Sequence, residues 1–189
     1  MATSRFTLLR CVFAILTGRS ARALSRAAVL TTVLALALLP RAVPALAQAQ
    51  RTALVGTEQR FFGVPARVWV ADGLTQIRGL PLTGTFAYSG AGVTLAGPET
   101  QLANGILDAH GNGITWGVGT YTDAATGVTC TGPVRGKITN FLATLNVVAP
   151  CSDGALLKGT LQDIETFPPG QAPPIWVRSD FNGVLLRPG

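Results

Sequence analysis

The chain has 189 residues, 15 Lys and Arg against nine Asp and Glu, and a pI near 10.0, but the basic excess is local. Six of the basic residues (Arg5, Arg10, Arg19, Arg22, Arg26, Arg41) precede residue 48 with no acid among them, and residues 48–189 hold the other nine against all nine acids. Binding of nucleic acid by counterion release, or adhesion to an anionic surface, draws on clustered excess Lys and Arg; the neutral balance of 48–189 argues against both.

Residues 1–47 read as a signal peptide. A basic segment reaches Arg26, Ala27 to Leu39 is a thirteen-residue stretch of small and apolar side chains apart from Thr31 and Thr32, and Ala45-Leu46-Ala47 fits a cleavage site. The apolar stretch is shorter than the ~20 residues that span a bilayer, and Pro40, Arg41 and Pro44 block its extension, so no stable membrane insertion is expected. The exported chain, secreted or periplasmic, would begin near Gln48. Cys11 leaves with the leader, and Cys130 and Cys151 remain as a pair in an oxidising compartment. One disulfide is expected, closing a loop of about 22 residues and contributing about 3 kcal/mol.

Residues 48–60 read as a flexible lead-in and 61–189 as a single antiparallel β domain. Gly (21) and Thr (17) are abundant in 48–189, while Glu (three), Lys (two) and Met (none) are scarce, which favours strands over helices. Short alternating segments separated by turn residues predict strands near 64–71, 75–78, 82–88, 92–96, 101–108, 113–122, 128–131, 134–140, 142–148, 155–167, 175–178 and 183–186, some of which should merge. Asp108-Ala109-His110-Gly111-Asn112-Gly113 marks a hairpin turn, and four Pro within 168–174 mark a stiff surface loop. Gly84, Gly105, Gly136, Gly159 and Gly183 recur about once per hairpin, as a coiled meander requires. The expected fold is a small antiparallel meander β-barrel, with a β-sandwich as the alternative. Val68, Ile77, Phe86, Leu107, Trp116, Ile138, Leu145 and Leu161 are expected to face inward.

Gly105-Ile106-Leu107-Asp108 with Gly111-Asn112-Gly113, followed by Leu157-Lys158-Gly159-Thr160-Leu161, resembles exported bacterial all-β proteins that share G-x-L-D-x-x-G-N-G and L-K-G-T-L elements. The resemblance spans about residues 80–187 and implies an exported β fold without bringing an activity. Leu82-Thr83-Gly84-Thr85-Phe86 is similar to the L-T-G-T-[YF] strand of avidin-type barrels, but the rest of that family's ligand pattern is missing.

Tests for chemistry in 48–189 return little. Ser89, Ser152 and Ser179 could join His110 in a triad, but no G-x-S-x-G elbow exists and His110 sits at a turn. Asp163 and Glu165 are two apart and so should share one face, read here as a solvent-facing stripe. Asp108, His110 and Asn112 copy the opening of a calcium loop, but Gly119 stands where its Glu belongs. Most of the carboxylates fall at predicted turns or strand ends, where water would keep them ordinary. No cofactor, metal or catalytic residue is therefore expected. The leading reading is an exported, non-catalytic barrel whose pocket, lined by Trp69, Phe86, Trp116, Phe141 and Trp176, takes a small apolar or amphipathic ligand. An envelope structural protein and an isomerase- or cyclase-type barrel enzyme are the alternatives.

Overall fold

The computed structural model describes residues 49–171 and 173–189; the expected signal peptide lies outside the described residues. Nine strands follow in order: β1 (Gln50–Phe62), β2 (Arg67–Ala71), β3 (Leu74–Gly90), β4 (Val93–Leu107), β5 (Gly113–Thr122), β6 (Thr129–Thr139), β7 (Leu142–Pro150), β8 (Leu156–Phe167) and β9 (Trp176–Arg187). From β3 to β9 each strand pairs antiparallel with the next, and β1 closes the ring by pairing with both β9 and β3. The result is an eight-stranded barrel, with β2 as an extra strand on β3. The barrel, not the sandwich, is the architecture.

The segment expected to be a flexible lead-in is instead the closing strand. Thr52, Leu54, Glu58 and Arg60 of β1 are buried while their neighbours face out, the period of 2 that a half-buried strand requires. Its Thr57-Glu58-Gln59-Arg60 run reads as solvated because the inward residues there are charged. Several expected strands merge: β3 joins 75–78 to 82–88 across a register shift between Ile77 and Leu80. Gly79 sits at that shift with φ +60°, a conformation that suits a residue without a side chain, and its N–H donates to Asn104 Oδ1 at 3.1 Å. The shift lets β1 pair with the second half of β3 and β2 with the first, so β2 continues the line of β1 past Gly63–Ala66.

Two apolar clusters fill the interior. The larger, including Leu54, Phe86, Tyr88, Tyr121, Val147, Leu157, Leu161 and Phe181, plugs the end of the barrel that carries the β3–β4, β5–β6 and β7–β8 turns. Cys130 and Cys151 belong to this cluster and are joined, their Cα atoms 3.8 Å apart. A Cβ on Gly159 or Gly183 would lie 2.5 Å from the Phe181 ring, so these two glycines make room for it. The smaller cluster, Ile77, Leu80, Leu82 and Leu107, lies toward the opposite end. We call that end the mouth; it carries the loops at 63–66, 108–112, 140–141 and 168–175.

Two inward expectations are corrected. Val68 is half-exposed because β2 overhangs the barrel, and Trp116 points outward because β5 turns Thr115, Gly117, Gly119 and Tyr121 inward. Large side chains from neighbouring strands already occupy the interior beside β5, so its glycine face fits there and its Ile114, Trp116 and Val118 face does not.

Candidate functional site

A cavity of about 90 Å³ opens at the mouth. Phe62, Ile77, Leu80, Leu82, Leu107, Ile138 and Phe141 give it apolar walls, Pro173 and Pro174 flank it, and Arg60, Gln101 and Asp163 reach it from deeper in the barrel. Those three belong to a belt of polar side chains between the two apolar clusters, delivered by inward positions of β1 (Glu58, Arg60), β4 (Glu99, Gln101), β8 (Asp163) and β9 (Ser179).

Arg60 is the hub. Its Nη2 donates to Asp163 Oδ1 at 2.7 Å and to Ser179 Oγ, and its Nη1 donates to Gln101 Oε1 at 3.3 Å. Ser179 Oγ donates to Asp163 Oδ1 at 2.6 Å, and the Ala143 N–H donates to Asp163 Oδ2 at 3.1 Å, so the Asp163 carboxylate is pinned on both oxygens. Behind the guanidinium, Arg60 Nε lies 3.4 Å from Glu58 Oε2 and 3.8 Å from Glu99 Oε1. Tyr88 donates its hydroxyl to Glu58 Oε1, and Gln101 Nε2 donates to the Tyr121 hydroxyl at 3.4 Å.

Three buried carboxyl groups thus share one buried guanidinium, and they cannot all ionise cheaply. Burial, reinforced by the Glu58 charge and opposed by Arg60, pushes the Glu99 pKa up to about 10. Burial also raises Glu58, although Arg60 and the Tyr88 hydrogen bond work against it. At neutral pH Glu99 is therefore the carboxyl that keeps its proton. Glu58 Oε2 and both Glu99 oxygens lack a donor among the described groups; a proton on Glu99, donated to Glu58, supplies the missing hydrogen bond. Burial acts to lower the pKa of Arg60, but the charges of Glu58, Asp163 and Glu99 outweigh it, and the guanidinium stays charged.

Of the five aromatic residues expected to line a pocket, Phe141 does so. Phe86 is buried in the larger cluster against Tyr88 and Tyr121. Trp69 and Trp116 lie on the outer face, where Arg67 stacks 4.6 Å from the Trp69 ring centre and Arg78 bridges Trp69 (5.3 Å) and Trp116 (4.8 Å). Trp176 is also outward and stacks on Phe167 with ring centres 6.0 Å apart. The Asp163/Glu165 stripe is corrected as well. Asp163 faces inward in the regular alternation of β8 with Leu157 and Leu161, and a register shift after it leaves Glu165 outside, 3.6 Å from Arg178. His110 is exposed at its turn, and Asp108 there is held by the N–H groups of His110 and Asn112, both at 2.8 Å.

Sequence reading missed Glu58, Arg60, Glu99 and Gln101, and weighed Ser179 only as a triad serine beside His110. The available signal was parity: Glu58 and Arg60, then Glu99 and Gln101, are i, i+2 pairs in register with apolar inward positions of the same strands. No protein-family model, curated protein or solved structure matches the chain.

Proposed function

We propose that the barrel is an exported receptor for a small, electrically neutral amphipathic molecule, matured by cleavage after Ala47, with the ligand entering at the mouth. The observation that carries this reading is the pairing of apolar walls with a hydrogen-bonding floor at Arg60 and Gln101. Arg60 Nη1 has two hydrogens and gives one to Gln101, which leaves the other for a ligand oxygen. The guanidinium charge is already balanced by Asp163 and by the Glu58/Glu99 pair, so a carboxylate head would add uncompensated negative charge to the belt. A ketone, ester or alcohol oxygen adds none. The cavity is smaller than the ~150 Å³ that admits benzene in a dry core, so it takes the head group and the first few atoms behind it. The rest of the molecule would lie in the mouth against Phe62, Phe141 and the two prolines.

Isothermal titration with 2-decanone and with decanoate tests the reading. The ketone should bind at least tenfold more tightly, and Ala103→Leu, which narrows the cavity from a half-buried position, should weaken it. Equal affinities, or no binding of either compound to wild type, would overturn it.

A second reading is proton-transfer catalysis of the isomerase or cyclase kind, favoured by a buried acid–carboxylate pair next to Arg60. Binding is preferred because neither Glu58 nor Glu99 is among the residues that line the cavity. Recovery of an isomerised ketone after incubation with the protein would reverse that preference.

A further inference from the structure

The neutral balance of residues 48–189 conceals a segregation of charge that only the barrel geometry reveals. Pairing across β2, β3, β4, β5 and β6 sets Trp69, Gln76, Ile106, Ile114 and Lys137 in one row on the outer face. Residues paired in this way share a face of the sheet. The neighbouring row holds Arg67 and Arg78, then Asn104, Trp116 and Arg135. Neither row contains an acid, and among the described residues Arg67, Arg78, Arg135 and Lys137 form no ion pair, the surface pair being Arg178 with Glu165. The acids nearest in sequence, Asp72 and Asp108, lie in turns outside both rows.

The guanidiniums of this face are held in place. Arg78 sits against both indoles and donates through Nη1 to the Ile77 and Gly105 carbonyl oxygens, at 2.9 and 3.3 Å. Beside the cationic rows, on the same outer face, runs an apolar row of Pro81, Leu102, Val118 and Pro133, in which Leu102 is 56% and Val118 51% exposed; Ile114, inside the first cationic row, is 50% exposed. The cationic rows lie toward the mouth end of the barrel, where the cavity opens, and the apolar row adjoins them.

We propose that this face docks on an anionic lipid surface, with Arg67, Arg78, Arg135 and Lys137 at the headgroups, the two Trp rings at headgroup depth, and Leu102, Ile114 and Val118 in the acyl boundary. Charge complementarity selects an anionic partner. The apolar row selects lipid over a hydrated anionic polymer, because a polymer would leave Leu102 and Val118 in water. Indole and guanidinium groups side by side are the combination that suits a membrane interface, apolar in body and polar at the rim. This is adsorption, with the barrel intact and nothing spanning the bilayer, and it does not depend on the cavity reading.

Vesicle co-sedimentation tests it, with wild type and variants prepared in the same form so that any contribution of residues 1–48 cancels. Vesicles of phosphatidylcholine with about 30 mol % phosphatidylglycerol should retain the protein, pure phosphatidylcholine should not, and about 0.5 M NaCl should release it. The outward double variant Arg135→Gln/Lys137→Gln should lose about thirty-fold in partition coefficient. Leu102→Ser/Val118→Ser should also weaken partitioning, by a factor that stays the same as salt is raised toward the release point. No retention on the anionic vesicles, or retention unchanged in both double variants, would overturn the proposal. So would binding to dextran sulfate that needs Arg135 and Lys137 but not Leu102 and Val118, without vesicle binding; that result would assign the face to a polymer. Ketone titration of the same variants should be unchanged, so failure of one reading is distinguishable from failure of the other.

Discussion

Replacing Glu99 with Gln should stabilise the protein at neutral pH and do nothing for it in acid. An amide at 99 imitates the protonated carboxyl: it donates to Glu58 Oε2 and never ionises, so below pH 4.5 the two proteins should agree to within about 1 kcal/mol. Above that pH the unfolded wild-type chain gains stability by releasing the Glu99 proton, whereas the folded protein retains it until about pH 10. More protons are then bound by the native state than by the unfolded state, so the wild type loses stability as pH rises toward the folded pKa. From the ordinary value of 4.5 to pH 7 the accumulated loss is about 3 kcal/mol at 1.36 kcal/mol per unit. Urea unfolding of both proteins at pH 4.5, 6, 7 and 8.5 reads this directly, since every other titrating group is common to the pair. A stability difference that does not grow with pH, or Glu99→Gln less stable than wild type at pH 7, would mean that Glu99 is ionised inside the barrel and that the account of the belt is wrong.

Two other outcomes follow from the same belt. Arg60→Met should destabilise the fold by about 3–5 kcal/mol in urea unfolding, because Asp163 and Glu58 lose their counter-charge, and Glu58→Gln/Asp163→Asn in the same chain should recover most of it. The chain's two tyrosines, Tyr88 and Tyr121, are both buried and both raised in pKa by that burial, so ultraviolet titration should show no tyrosinate until the protein unfolds in alkali.

What the sequence could reveal and what it could not divide along one physical line. Alternation in Thr144 to Ala149 and in Leu156 to Asp163 identifies strands because the inward residues are mostly apolar and the outward ones polar. Glu58, Arg60, Glu99 and Gln101 obey the same period but reverse its chemistry, so a polar stretch that lies in the middle of a barrel looks like a linker or a turn. Pro98 falls in the gap between the expected strands 92–96 and 101–108, which β4 bridges with Pro98 facing outward opposite Thr85. The Trp residues erred the other way: their apolar bulk suggested a pocket, whereas stacking with Arg67 and Arg78 lets Trp69 and Trp116 sit outside. Partners brought together across strands cannot be read from neighbours in the chain. Asp163 reaches Arg60 over a separation of 103 residues; the alternation of β8 turns it inward with Leu161, but nothing near it in the chain names its partner.

Closure through β1 has a kinetic consequence. Of the nine strands β1 is synthesised first, yet one of its edges is satisfied by β9, the last, from Gln50 against Arg187 to Phe61 against Trp176. Until β9 arrives, β1 presents a bare row of amide and carbonyl groups, and Glu58 and Arg60 have neither Asp163 nor Ser179 to receive them. The meander from β3 to β8 can zip by local hairpins, but the final seam joins segments more than a hundred residues apart, and the loop entropy of that step comes due all at once. An unsealed barrel of this kind is open to edge-to-edge association with other copies. Sealing it assembles the charged belt in the same event, so the ring of strands and the cavity floor form together or not at all.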